Sequence, residues 1–215
     1  MEPLGIKTTI YDFFSYFIPG VVCNVCIILS IYFSSYTFSI PLKDIFTEEI
    51  LNLMPNWFLI ITLILITYVF GIIISNISSL FIEKWLMKNI SFLNKYFCLD
   101  NILSENTNML FHIKIKKELN ITFSKSDMRL IITNIENKKV NSYNTAFVFL
   151  TIYGTNRNLC CIFLLIGIIS LITNLIYHCN ILFPIVLIIL SIVLLYGYIR
   201  FYRYYISHLV SAYLS

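Results

Sequence analysis

Residues 57–82 read WFLIITLILITYVFGIIISNISSLFI, a run that contains no Asp, Glu, Lys or Arg. About 20 apolar residues in a helix cross the ~30 Å of hydrocarbon in a bilayer, because only a helix satisfies its own backbone polar groups there. The run therefore predicts a transmembrane helix. Three further uncharged runs have the same character, over residues 17–40, 159–176 and 181–199.

The four runs form two pairs on either side of a polar middle region. Of the 215 residues, 59% are apolar and 12% are charged, whereas about a quarter of a soluble domain is charged. We therefore expect an all-α membrane protein with four transmembrane helices in two pairs (2+2) and a mainly helical cytoplasmic insertion. The expected parts are a helix pair with an interfacial start over residues 1–83, a basic region over 84–157, and a helix pair with a basic aromatic tail over 158–215.

The placement of charge predicts the orientation in the membrane. Eleven Lys or Arg and five acids lie between residues 84 and 157, whereas the first connection holds Lys43 with Asp44, Glu48 and Glu49. Positive residues close to a membrane concentrate on the cytoplasmic side. We therefore expect a multi-pass protein of the cell inner (plasma) membrane with both termini in the cytoplasm. Arg200 and Arg203, among the aromatic residues that follow the last run, are predicted to anchor it at the cytoplasmic surface.

Small and polar side chains at helical spacing indicate where the predicted helices pack, because small residues let backbones approach and polar ones hydrogen-bond across the contact. The partner helix belongs to the same chain or to another copy, and we expect a homo-oligomer. The candidates are Asn24, Gly71, Ser75, Asn76, Ser79, Gly167, Ser170 and Asn174. Pro19 and Gly20 are expected to kink the first helix or to separate an interfacial segment from the true span, since proline removes a backbone donor.

The middle region carries a predicted basic patch, formed by Lys114, Lys116, Lys117, Lys138 and Lys139. Lysines of this kind bind nucleic-acid phosphates or lie beside an anionic leaflet, and both readings stay open. Residues 112–116 alternate apolar and polar and predict a strand, paired with residues 120–123 in a small hairpin. Residues 154–158 are expected to form a turn into the third span.

Enzymatic chemistry has no support in the sequence. No H-E-x-x-H, G-x-S-x-G or phosphate-binding glycine loop occurs, and the three histidines are far apart. We expect no catalytic residues, metal site or cofactor, and we interpret Cys23-x-x-Cys26 as packing within a span. The uncharged interiors of the four runs also argue against ion-coupled transport, which usually places ionisable residues in the membrane.

Two stretches carry a resemblance to known proteins. Residues 11–20, YDFFSYFIPG, precede the first span, and residues 155–159, TNRNL, precede the third. In these stretches and in its layout the chain resembles small four-pass bacterial membrane proteins of anti-phage defence systems, such as the transmembrane partners of retrons and the membrane component of the Kiwa system.

The resemblance implies a membrane effector that stays inactive until infection and then disrupts or depolarises the membrane. It also implies a cytoplasmic protein or nucleic-acid partner encoded nearby. Two alternatives remain from the residues alone. One is a structural or scaffolding membrane protein that recruits a soluble partner, and the other is a small-molecule transporter or channel.

Overall fold

A computed structural model describes residues 11–38, 55–86, 89, 96–119, 131–133, 135, 142–177 and 180–215. About 94% of these residues are helical, and none of them is in a strand. The prediction of an all-α protein is confirmed for this part of the chain.

Six α-helices and two π-helical segments make up the described structure. The segment π1 (Phe13–Phe17) leads into α1 (Ile18–Phe38), and α2 (Asn56–Ser78) continues as π2 (Ser79–Leu86). The remaining helices are α3 (Leu99–Ile102), α4 (Glu105–Leu119), α5 (Ser142–Ile176) and α6 (Leu182–Leu214).

Four helical stretches are long and apolar enough to cross a membrane. They are Phe13–Tyr32, Trp57–Leu86, Asn144–Ile176 and Leu182–Leu214. The prediction of a multi-pass membrane protein is confirmed at this level. Each stretch overlaps one of the uncharged runs, and the last three extend beyond their runs into charged sequence.

Two local predictions are wrong, and the strand partner predicted over residues 120–123 lies outside the described residues. Residues 112–116 lie within α4 and not in a strand, because the buried positions are Phe111 and Ile115, which are four residues apart and share one helix face. Residues 154–158 lie within α5 and form no turn. The polar side chains of Thr155 and Asn158 are stabilised in the helix by partners on another helix, as described below, so tertiary contacts override their weak helix propensity.

The chain divides into two compact units. The first unit comprises residues 1–84 and 155–196, and the second comprises residues 85–154 and 197–215. The first unit therefore holds most of the apolar helices. The second joins the middle region to the end of α6, the part of the chain predicted as a separate basic aromatic tail.

Two glycines bring the first two helices of the first unit into backbone contact. A Cβ atom on Gly20 would lie 2.0 Å from the carbonyl oxygen of Thr67, and a Cβ on Gly71 would lie 1.9 Å from that of Tyr16. Only glycine fits at such distances. Asn24 adds a hydrogen bond from its Nδ2 to Thr67 Oγ1 at 3.0 Å. Gly20 and Gly71 thus fix where the two helices approach each other.

The helix type changes at the position of the predicted kink, and the kink itself stays a prediction. The N–H of Ile18 donates to the carbonyl of Phe13, five residues earlier, which is the π-helical pattern, and α1 proper begins at Ile18. Pro19 follows immediately and is buried. The transition from π to α geometry therefore occurs directly ahead of the proline.

The helix α5 packs against α1, α2 and α6 in the first unit. Ser170 Oγ lies 3.1 Å from Ser30 Oγ of α1, and Cys23, Ile74 and Ile162 form a small buried cluster between α1, α2 and α5. A Cβ on Gly167 would lie 3.0 Å from the side chain of Ile188, so α5 also packs closely on α6.

The second unit has its own hydrophobic core. The residues that form it are Leu103, Phe111, Ile115, Ile131, Ile135, Ala146, Tyr205, Ile206, Leu209, Val210, Ala212 and Tyr213. Aromatic rings extend this core, since Tyr153 lies against Tyr198, Tyr202 and Tyr205. Many of the aromatic residues at the end of α6 therefore pack inside this unit.

Replacing Gly71 by alanine tests the close approach of the first two helices. The new Cβ would overlap the backbone of Tyr16, so the helices must separate, and we expect a loss of about 1–3 kcal/mol in the free energy of unfolding. Unfolding in detergent micelles measures the change. The control is Ile73→Ala, at an exposed position two residues away; an equal loss in both variants would contradict the glycine contact.

Candidate functional site

A partly buried ion pair joins two of the apolar helices of the first unit. Arg157 Nη1 of α5 donates to Glu83 Oε1 of π2 at 2.6 Å, and the two side chains are 10% and 32% exposed. Both residues lie one or two positions beyond the uncharged runs, within the helical stretches long enough to span a membrane. The uncharged runs argue against ion-coupled transport. The complete helices contain charged residues, so that argument does not apply to them.

Serine hydroxyls add hydrogen bonds to both members of this ion pair. Arg157 Nη2 donates to Ser75 Oγ at 3.2 Å, and Ser79 Oγ donates to Glu83 Oε2 at 3.0 Å. Each charged group thus has a charged partner and a hydroxyl partner. Such surroundings offset part of the cost of removing two charges from water.

Asn158 is the centre of the cluster and is fully buried. Its Nδ2 donates to the carbonyl of Ser15 in π1 at 2.7 Å, and its Oδ1 accepts hydrogen bonds from Ser78 Oγ and from Arg157 Nε. One side chain therefore links the segment before α1, the end of α2 and α5.

The carbonyl of Ser15 is available because of Pro19. Proline has no N–H, so it cannot donate to the carbonyl four residues earlier, and Asn158 supplies the hydrogen bond from the side. Thr155 Oγ1 similarly donates to the carbonyl of Phe14 at 3.1 Å. The hydroxyl of Ser15 itself is buried and has no hydrogen-bond partner. We call the group of Ser15, Ser75, Ser78, Ser79, Glu83, Thr155, Arg157 and Asn158 the polar cluster.

The polar cluster lies where both π-helical segments of the described chain meet α5. Ser15 belongs to π1, whereas Ser79 and Glu83 belong to π2. Segments with π geometry are rare and occur frequently at functional sites. Glu83 and Arg157 lie just beyond the ends of two uncharged runs. The π geometry and the ion pair therefore occur at the same position in the fold.

The predicted packing residues have different outcomes. Ser75 and Ser79 belong to the polar cluster, and Asn24, Gly71, Gly167 and Ser170 contact neighbouring helices as described above. Asn174 Nδ2 donates to the carbonyl of Asn180 at 2.7 Å, at the connection between α5 and α6. The side chain of Asn76 is exposed on the outer surface of α2.

Sequence reasoning did not identify Glu83, Arg157 and Asn158 as one site. Ser15 and Thr155 were likewise not identified as packing residues. The sequence does contain one signal, because an acid follows the second uncharged run directly and a base precedes the third by two residues. Opposite charges at facing ends of two helices are candidates for an ion pair.

The predicted basic patch is divided in the structure. Lys114 Nζ donates to the carbonyls of Tyr213 and Leu214 at 2.6 and 3.1 Å, so it binds the C-terminal end of α6, where the helix dipole favours a positive charge. Lys116 and Lys117 are exposed. Lys138 and Lys139 lie outside the described residues. Lys114 therefore has a structural role in the second unit.

The predicted membrane anchors lie near the end of α6 in the second unit. The guanidinium of Arg200 lies 5.5 Å from the ring centroid of Tyr204, and Arg203 donates to the carbonyl of Asn101 at 3.2 Å. Both side chains are exposed. Their role at a membrane surface stays a prediction.

Metal and thiol chemistry has no assembled site in the described part of the chain. No group of three or more His, Cys, Asp or Glu residues is arranged there to hold a metal ion. Cys23 and Cys26 are buried free thiols, as are Cys160 and Cys161.

Comparisons with protein-family profiles, with curated protein sequences and with solved structures find no match to this chain.

Replacing Glu83 by glutamine tests the ion pair. The variant leaves Arg157 without its charged partner, and because Glu83 is about a third exposed we expect a loss of about 1–3 kcal/mol in the free energy of unfolding in micelles. The matched control is Glu105→Gln, an exposed acid in α4, which should change stability by less than about 0.5 kcal/mol. Exchanging the two residues, Glu83→Arg with Arg157→Glu, should recover part of the loss; no recovery would contradict a direct pairing.

Proposed function

We propose that this chain is an integral protein of the bacterial inner membrane and the membrane effector of an anti-phage defence system. In this proposal it stays closed until a signal reaches its cytoplasmic region, and then it disrupts or depolarises the membrane. Four apolar helices support the membrane assignment. The resemblance of residues 11–20 and 155–159 to membrane components of such systems supports the defence role.

The observation that carries the proposal is the polar cluster. A protein that only anchors a partner needs no partly buried ion pair between its apolar helices, because such a pair costs free energy to desolvate. Here Arg157 and Asn158 instead hold three helical elements through hydrogen bonds with good geometry. A network of this kind has two natural arrangements, paired and broken, and so it suits a protein with a resting and an active state.

Two helices, α5 and α6, each belong to both units, and this supports a route by which a signal could pass along them. Both α5 and α6 begin in one unit and end in the other, since α5 runs over Ser142–Ile176 and α6 over Leu182–Leu214. Thr155, Arg157 and Asn158 lie within one turn of the point on α5 where the second unit ends. A partner bound to the second unit would therefore act on α5 close to the polar cluster.

The proposed topology follows from charge. Both termini and the second unit lie in the cytoplasm, and the helices form a 2+2 arrangement around a mainly helical cytoplasmic insertion. The excess of Lys and Arg between residues 84 and 157 supports this orientation.

A transporter is the second candidate, and the same ion pair favours it. Ionisable residues in membrane helices also mark transport pathways. A transporter should give substrate-dependent flux in vesicles while the membrane potential is retained, whereas an effector should collapse the potential. A sealed membrane together with a soluble partner retained by the second unit would instead favour a scaffold.

Inducible expression in bacteria with a potential-sensitive dye tests the effector proposal. We expect the wild-type chain with its neighbouring genes to depolarise cells on phage challenge, and Glu83→Gln to depolarise them on induction alone, because the resting arrangement has lost its ion pair. Glu105→Gln is the matched control and should behave as wild type. Immunoblots of the membrane fraction check that the wild-type protein and the variants are present in equal amounts.

Two outcomes would remove the proposal. One is an unchanged potential and no toxicity, alone or with neighbouring genes under phage challenge. The other is a charge exchange, Glu83→Arg with Arg157→Glu, that depolarises cells as strongly as Glu83→Gln. The second result would mean that pairing does not maintain the resting state.

Fusion of reporters after Ser215 tests the topology. Green fluorescent protein should fluoresce and alkaline phosphatase should be inactive there, because the C-terminus is cytoplasmic in the proposal. The matched fusion after Pro55, ahead of α2, should give the opposite pair of signals. Phosphatase activity at Ser215 would overturn the orientation.

A further inference from the structure

The outer face of α4 combines exposed apolar residues with exposed lysines. Met109, Leu110 and Ile113 are 66%, 58% and 52% exposed, whereas Phe111 and Ile115 on the opposite face are fully buried in the core of the second unit. Contiguous exposed apolar side chains on a folded unit mark an interaction surface. One face of α4 therefore packs in the core of the second unit, and the described part of the chain leaves the other face exposed.

Positive charge lies directly beside these apolar residues. Lys116 and Lys117 are exposed and begin one turn after Ile113, at the C-terminal end of α4. Lys114 differs from them because it donates to the carbonyls at the end of α6. The acids of the helix lie elsewhere or are engaged: Glu105 is in the first turn, and Glu118 accepts a hydrogen bond from Tyr213.

We propose that this face of α4 binds the surface of an anionic lipid bilayer. Met109, Leu110 and Ile113 insert at the boundary between headgroups and acyl chains, and Lys116 and Lys117 contact the lipid phosphates. Amphipathic helices bind membranes in this way, through buried apolar area together with attraction of basic residues to anionic lipid. We call Met109, Leu110, Ile113, Lys116 and Lys117 the lipid-binding face.

The composition of the face favours lipid over nucleic acid. Three of its five residues are aliphatic or thioether side chains, which neither stack on bases nor bind phosphate, and their burial against a polyanion would gain little. At a bilayer surface the three apolar side chains leave water, whereas the lysine ammonium groups stay hydrated. Lysine can do this because its stem extends along apolar surface while the ammonium group stays solvated.

The chain itself keeps this face near a bilayer. Leu86 ends the second apolar stretch and Glu105 begins α4 nineteen positions later, so a fully extended connection reaches at most about 70 Å. A tethered site meets its ligand at a high effective concentration, which makes weak interfacial contacts sufficient. The inference depends on the four apolar helices and not on the proposed effector function.

Photo-crosslinking in nanodiscs tests the lipid-binding face. Benzoylphenylalanine replaces Met109 or Ile113 in the full-length chain, which is placed in nanodiscs of phosphatidylethanolamine with phosphatidylglycerol or of phosphatidylcholine alone. We expect lipid adducts at both positions, several-fold more with the anionic lipid. The matched control is benzoylphenylalanine at Ser211, an exposed position on α6, which should give few lipid adducts.

A charge reversal tests whether the lysines of the lipid-binding face contribute to its contact with lipid. Lys116→Glu with Lys117→Glu should lower the lipid adducts at Met109 several-fold in anionic nanodiscs, while the protein keeps its elution volume on size exclusion. Adducts to a second copy of the chain, to added single-stranded RNA or to no molecule would overturn the proposal. Equal lipid adducts at Met109 and Ser211 would also overturn it. Because no phage or neighbouring gene is present, a negative result here leaves the effector test unaffected.

Discussion

Backbone polar groups among apolar helices must find partners within the protein, and this constraint explains the polar cluster. Pro19 lacks an N–H, so it cannot pair the carbonyl of Ser15 in the usual helical way. Asn158 of another helix donates to that carbonyl instead. The same side chain accepts a hydrogen bond from Arg157, which pairs with Glu83. The missing proline donor and the contacts that join three helical elements therefore occur at the same place.

Close backbone packing complements these hydrogen bonds. Gly20 and Gly71 let the first two helices approach until a single added Cβ would overlap a backbone carbonyl. In lipid, helices associate through such packing and through polar contacts, because the hydrophobic effect no longer distinguishes a neighbouring helix from an acyl chain. The polar cluster and the glycine contacts therefore act together. Both involve the segment around Tyr16, since Asn158 binds the carbonyl of Ser15 and Gly71 lies against the carbonyl of Tyr16.

The second unit is organised by ordinary hydrophobic burial. Tyr205, Leu209 and Tyr213 of α6 belong to its core, and Lys114 binds the last carbonyls of the same helix. The end of α6 has the composition of a membrane-surface tail, but its residues form part of the core of a folded unit. A long helix that begins as an apolar span and ends in such a core gives the proposed cytoplasmic signal a continuous element on which to act.

Much of the architecture was predictable from the sequence, because the length and lack of charge of four apolar runs are themselves the physical requirement for spanning a bilayer. The small and polar stripes likewise predicted several helix contacts, such as those of Gly71 and Ser170. The helix over residues 154–158 was not predictable, since its Gly, Thr and Asn residues favour a turn until partners on other helices stabilise them. The pairing of Glu83 with Arg157 also needed the tertiary structure, because residues 74 positions apart meet only after the helices pack.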